Sequence, residues 1–183
     1  MTELTKQDRA DFLAAIREIP DYPKAGIIFK DITTVLNDGP LFKRLIDGLV
    51  TRYKDYDLDY IAGIDARGFI FGAAIAAQLG IGFVPIRKKG KLPYTTVAEK
   101  YALEYGTDEV EMHIDAFNNK PKARILLVDD LVATGGTAEA AARLINHVGA
   151  ECVEACFFMS LEFLDGRKKV EAFAPVFSVL EEH

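Results

Sequence analysis

The sequence predicts an α/β fold, a mainly parallel twisted sheet flanked by helices. Strand-like segments alternate with helical ones along most of the chain, the pattern of βαβ units. The run RILLVDD (residues 124–130) is continuously apolar up to its two acids, as in a strand covered on both faces. At 183 residues, without a repeat or linker, the chain fits one domain and can bury roughly 70% of its unfolded surface.

The elements follow in order. Residues from about Thr5 to Ile19 read as an amphipathic helix, with Phe12, Leu13, Ile16 and Ile19 on one face and Pro20 ending it. DYPKAGIIFKDIT reads as a loop and short strand. A second helix starts at Pro40, a favourable first-turn residue, and repeats Leu41, Phe42, Leu45, Ile46, Leu49, Val50 and Tyr53 at helical spacing. A strand at Tyr60–Ile64 leads through DARG to an Ala-rich helix, about Phe69 to Leu79, and a strand from Gly82 to Ile86. Then come a polar stretch from Lys88 to Gly106 and the period-two segment EVEMHID. RILLVDD, the loop LVATGG and the helix TAEAAARLINHV follow. The strand CVEACFFM, a short helical stretch and the strand VFSVL complete the chain.

Composition excludes several classes. Twenty-two basic residues against 28 acidic give a net charge of −6, unlike the basic stripe of a nucleic-acid groove binder. Gly68 to Ile86 is uncharged and about the length of a membrane span, but Gly80, Gly82 and Pro85 break it. The polar N-terminus, MTELTKQDRADF, is unlike a signal peptide. Cys152 and Cys156 read as reduced thiols of a cytosolic protein. The overall charge also argues against a polyanionic ligand, but it is an average. Between Gly82 and Lys100, five cations face the single acid Glu99.

In a sheet of this kind, ligands sit beyond the carboxyl ends of the strands. The strongest signal lies there: VDDLVATGGT, residues 128–137. Two acids at the end of a buried strand are costly unless they bind something. Ala133, Thr134, Gly135, Gly136 and Thr137 then open a helix whose N–H groups and hydroxyls make a phosphate cradle. Carboxylates beside such a cradle suit sugar hydroxyls or a magnesium hydration shell. The chain lacks both GxxxxGK and a GxGxxG after a strand. Two more loops stand at strand ends. In DARG, Arg67 is placed to grip an anion or to pair with Asp65. In RKKGK, four cations fall in five residues.

VDDLVATGGT resembles the phosphoribosyl-pyrophosphate-binding motif of the type I phosphoribosyltransferases. YPKAGIIFKDIT, AGIDARGFIFG, IRKKGKLP, YALEYG and VDDLVATGGT stand in the order found in the adenine phosphoribosyltransferases, from about Ile19 onward. The resemblance implies transfer of 5-phosphoribosyl from phosphoribosyl pyrophosphate to adenine, giving AMP and pyrophosphate in purine salvage, by a cytoplasmic homodimer. Ala133 to Thr137 would hold the 5′-phosphate, and Asp129 and Asp130 the ribose hydroxyls. Mg2+ would enter with phosphoribosyl pyrophosphate, with no direct protein ligand, through water near those two acids. Arg67, Arg87, Lys88 and Lys91 would bind pyrophosphate, the last three within the subunit or across a dimer. Leu92 to Gly106 would form a flexible hood loop that excludes water, with Glu104 as the catalytic acid near the purine. Ile28, Phe29, Lys30 and Leu161 would bind adenine, so that residues 1–39 form an N-terminal helix and base-binding segment packed on the single domain. Many relatives have Arg where this chain has Lys30.

Two rival readings remain. A regulator that senses phosphoribosyl pyrophosphate should add a DNA-binding module or a basic surface. An enzyme for a 6-oxo purine usually reads the oxo group with a lysine in a late-loop context that this chain lacks.

Overall fold

The computed structural model describes residues 3–102 and 106–183; Leu103, Glu104 and Tyr105 lie outside them. The chain divides between Tyr53 and Lys54 into two compact units.

In the first unit, helix α1 (Lys6–Ala15) opens on a reciprocal cap. The Asp8 N–H donates to Thr5 Oγ1 at 3.1 Å, and the Thr5 N–H donates back to Asp8 at 2.9 Å. The helix stops four residues before the predicted Ile19. A residue that precedes proline disfavours the α region, and the chain is already extended at Ile16. Arg17–Pro20 becomes strand β1, antiparallel to β2 (Ile28–Asp31). Leu13, assigned to the buried face, is 55% exposed. A one-turn helix α2 (Thr33–Leu36), absent from the prediction, follows an Asp31 carboxylate that accepts the Thr33 N–H at 2.9 Å. Helix α3 (Gly39–Tyr53) matches its prediction, with Leu41, Leu45, Ile46, Leu49, Val50 and Tyr53 buried.

The second unit is built on a sheet of seven strands. Its strands are β3 (Tyr60–Ile64), β4 (Gly82–Lys88), β5 (Thr96–Ala102), β6 (Thr107–His113), β7 (Arg124–Val132), β8 (Glu151–Leu161) and β9 (Val176–Glu182). Their order is β5-β6-β4-β3-β7-β8-β9. The run from β4 to β9 is parallel, while β6 is antiparallel to both β4 and β5. Helices α4 (Arg67–Leu79), α5 (Gly136–His147) and α6 (Gly166–Glu171) connect the strands, with a 3₁₀ turn at Glu162–Leu164. Ile125, Leu126, Leu127 and Val128 of β7 are all at most 1% exposed, as the continuous apolar run required. Cys152 and Cys156 are buried in β8, where burial pushes the Cys152 thiol up to about 12.

The stretch predicted as polar loop contains β5. Its period-two face is Val97, Glu99 and Tyr101, and the acid in the middle hides the pattern. Glu99 faces inward because α5 supplies its partners: His147 Nδ1 at 3.0 Å and Arg143 Nη2 at 2.9 Å. Arg143 also donates to the Lys100 carbonyl at 2.9 Å. The His147 bond, then Arg143, hold the Glu99 carboxyl below its ordinary range.

A lowered folded-state pKa stabilises above the unfolded value, about 4.3 for Glu, and that stability is lost as pH falls through the folded value. Glu99→Gln is therefore expected to lower the thermal midpoint by about 2–4 °C at neutral pH. The difference from the parent chain should close below about pH 4 in parallel melting curves.

Candidate active site

Where β3 leads away through α4 to β4, the adjacent β7 leads through α5 to β8 on the other side. The chain thus parts in opposite directions beyond the carboxyl ends of β3 and β7, the usual position of a ligand crevice. A cleft of about 590 Å³ opens at this point. Arg67, Lys88, Asp129, Asp130 and the whole turn Ala133–Thr137 line it. Residues as far apart in sequence as Arg67 and Thr137 are thereby gathered around one space.

Asp130 is 5% exposed and accepts from Arg67 Nε at 2.5 Å. Arg67 does not form the expected pair with Asp65: its acid is Asp130, while Asp65 takes Arg87 at 2.9 Å. Asp129 Oδ1 accepts the Asp130 N–H at 2.8 Å. Burial, then the neighbouring Asp130 charge, push the Asp129 carboxyl well above the ordinary range. The pair thus combines one carboxylate matched by a guanidinium and one whose charged form is disfavoured by burial and by its neighbour. Gly68 permits this approach. A Cβ there would stand 2.6 Å from the Val128 carbonyl and 3.0 Å from Asp129 Oδ1. The Asp65–Ala66 peptide just before Arg67 is cis.

The cradle turns at Gly135, whose φ of 78° is in the left-handed region, and α5 begins at Gly136. Thr134, Gly135, Gly136 and Thr137 all line the cleft where α5 begins, so the first-turn N–H groups and the dipole of that helix end suit an anion there. Its support was not legible in the sequence. Gly166, at the start of α6, packs so closely that its Cβ would come within 2.0 Å of the Ala133 carbonyl. Lys169 donates to the Thr134 carbonyl at 2.9 Å. Tyr101 of β5 also lines the cleft, and its hydroxyl donates to Asp108 at 3.1 Å.

Of the basic run, Lys88 reaches the cleft and pairs with Asp108 at 2.8 Å, a bond that raises its ammonium pKa. Arg87 is held at Asp65 and donates to the Lys91 carbonyl at 3.1 Å; neither Arg87 nor Lys91 lines the cleft. Ile28, Phe29 and Lys30 lie on β2 of the first unit, where Ile28 is 56% exposed and Lys30 pairs with Glu18 at 2.5 Å. Leu161 ends β8 outside the cleft lining, and Glu104 falls outside the described residues. Among the described residues, no group of three or more His, Cys, Asp or Glu side chains could hold a metal ion, and no helix is long and apolar enough to cross a membrane.

A family model described as phosphoribosyl transferase domain matches residues 33–181. The chain is 64% identical over 178 residues to the adenine phosphoribosyltransferase of Sulfurimonas denitrificans, covering 97% of this chain and 98% of the relative. Among solved structures it resembles the adenine phosphoribosyltransferase of Rhodothermus marinus, with 47% identity, a TM-score of 0.89, and coverage of 97% and 99% of the two chains. It also resembles the Saccharomyces cerevisiae enzyme complexed with an imino-altritol bisphosphate and adenine, with 38% identity, a TM-score of 0.88, and coverage of 96% and 99%.

The glycine contact under the cradle yields a direct test. Gly166→Ala must push the Ala133–Gly135 backbone away, which costs about 1–3 kcal/mol as overpacking. The expected result is a lower thermal midpoint together with weaker binding of a phosphate monoester, measured by calorimetry, while Gly149→Ala on the far side leaves that binding unchanged.

Proposed function

This chain belongs to the adenine phosphoribosyltransferases of the phosphoribosyl transferase domain family, and we propose that its cleft holds the sugar donor between the Ala133–Thr137 turn and the Asp129–Asp130 pair. It is a pentosyltransferase that transfers 5-phosphoribosyl from phosphoribosyl pyrophosphate to adenine, giving AMP and pyrophosphate in purine salvage. The observation that supports the assignment of the cleft is the union there of an anion cradle, an acid pair and Arg67.

In this reading the cradle fixes the 5′-phosphate through α5 N–H groups and the Thr134 and Thr137 hydroxyls. Asp129 and Asp130 accept the ribose hydroxyls, and their hard oxygens suit a hydrated divalent ion. Mg2+ entering with the donor would sit, through water, near Asp129 and Asp130, and would supply charge that neutralises pyrophosphate. Departure of pyrophosphate leaves positive charge on C1′, and Arg67, Arg87, Lys88 and Lys91 stabilise the departing anion. Arg67, Arg87 and Lys88 begin paired with Asp130, Asp65 and Asp108, so the substrate exchanges a protein acid for its own charge at each. Ile28, Phe29, Lys30 and Leu161 hold adenine so that N9 meets C1′, and Glu104 manages the proton on the base as that bond forms. The segment from Leu92 to Gly106 excludes water. The chain works as one phosphoribosyltransferase domain, in a cytoplasmic homodimer.

Incubation with magnesium, phosphoribosyl pyrophosphate and each purine in turn tests the base. AMP should form in large excess over IMP and GMP; equal rates would remove the adenine reading of these base residues. Asp130→Asn is expected to raise KM for phosphoribosyl pyrophosphate about tenfold to a hundredfold with KM for adenine little changed. Glu104→Gln should lower kcat by about 10²–10⁴ with both substrate affinities retained, which single-turnover kinetics would resolve.

A further inference from the structure

Each cation of the basic run meets an acid, with one exception. Arg87 pairs with Asp65, Lys88 with Asp108 and Lys89 with Glu109, the last two partners lying on β6. The Lys91 ammonium has no acid partner among the described residues. The third acid of β6, Glu111, is the counterpart of that exception. It is 4% exposed and has no Lys or Arg within ion-pair distance among the described residues. Its Oε1 instead accepts the N–H groups of Lys91 and Leu92, each at 3.1 Å, and its Oε2 accepts the Thr96 hydroxyl at 3.2 Å.

A buried carboxylate without a cation is expensive unless its donors are well placed. Here two donors belong to the turn that carries Lys91 into β5, and the third, Thr96, is the first residue of that strand. Across the sheet, Glu111 stands opposite Arg87 of β4 and Ala98 of β5, between the strand that enters the turn and the strand that leaves it. Arg87 holds the other side of the same residue, donating to the Lys91 carbonyl at 3.1 Å. Both peptide groups of Lys91 are thus tied down, while its ammonium is left for a ligand.

We propose that Glu111 is a positioning residue for pyrophosphate: by fixing the Lys91–Leu92 backbone from β6, it sets the Lys91 ammonium where the leaving group binds. The inference rests on the reading of Lys91 as a pyrophosphate ligand. Lysine has a long flexible stem, so a fixed Cα removes part of the ordering cost that binding otherwise carries.

Calorimetry with magnesium pyrophosphate, and separately with AMP, tests this on the full chain. AMP lacks the pyrophosphate group and serves as the control for general damage. Glu111→Ala is expected to weaken pyrophosphate about tenfold or more, with AMP affinity unchanged. Glu111→Gln, whose carboxamide oxygen still accepts both N–H groups, should recover most of the loss. In a Lys91→Ala background, Glu111→Ala should add little, since coupled residues do not add. Parallel weakening of AMP, full additivity, or unchanged pyrophosphate affinity in folded Glu111→Ala would each overturn the proposal. If Glu111→Ala fails to fold, Thr96→Val carries the test: selective weakening of pyrophosphate supports the proposal, and parent-like affinity overturns it. Lys91→Ala alone isolates the premise. If it leaves pyrophosphate affinity intact, the reading of Lys91 fails; if it weakens pyrophosphate and Glu111→Ala does not, the positioning role fails.

Discussion

Two carboxylates side by side at the end of a buried strand constrain everything around them. Charge cannot be left bare in such a place, so the structure around Asp129 and Asp130 is largely a set of answers to it. Arg67 supplies one positive partner and comes from the first turn of α4, which can approach only because Gly68 has no side chain. The helix on the other side, α5, begins at the same space, and its first residues line it. Positive and negative elements are therefore interleaved within one cleft, which suits a ligand that presents phosphates and hydroxyls together.

The same interleaving accounts for the charge of the chain. Its net charge of −6 does not describe the surface that a small polyanion meets. Strand β6 is rich in acids, yet Asp108 and Glu109 are spent on Lys88 and Lys89. Bound in this way, a cation keeps its place without ligand and avoids crowding its neighbours. A leaving group that displaces such an acid meets a preplaced charge, at the expense of the pairing it breaks.

Much of this was legible in the sequence because it is local. The β7 run, the two acids and the small-residue turn are contiguous, so period, burial and chemistry could be read from ten residues. Helix α3 was legible for the same reason, its apolar face repeating within a single segment. What escaped depends on distant partners. Glu99 faces inward only because Arg143 and His147 await it on α5, and without them β5 reads as loop. Gly166 is unremarkable in LDGR until α6 is laid against Ala133. Apolar spacing alone carries α1 to Ile19, but Pro20 and the pairing of β1 with β2 make the chain extended from Ile16. Asp65 and Arg67 were close enough in sequence to suggest a pair, yet each found a nearer partner in space.

The two cysteines have a practical consequence. Both thiols are enclosed in β8, and the raised pKa of Cys152 leaves almost none of it as the thiolate that attacks alkylating reagents. The unaltered chain is therefore a quiet background for site-directed chemistry. One cysteine introduced on an exposed position, such as Lys100 on the outer face of β5, would take a maleimide dye or spin label without prior removal of the native pair. The mobility and environment of such a probe would report whether β5 changes its surroundings as ligands arrive, in a protein whose interior has not been touched.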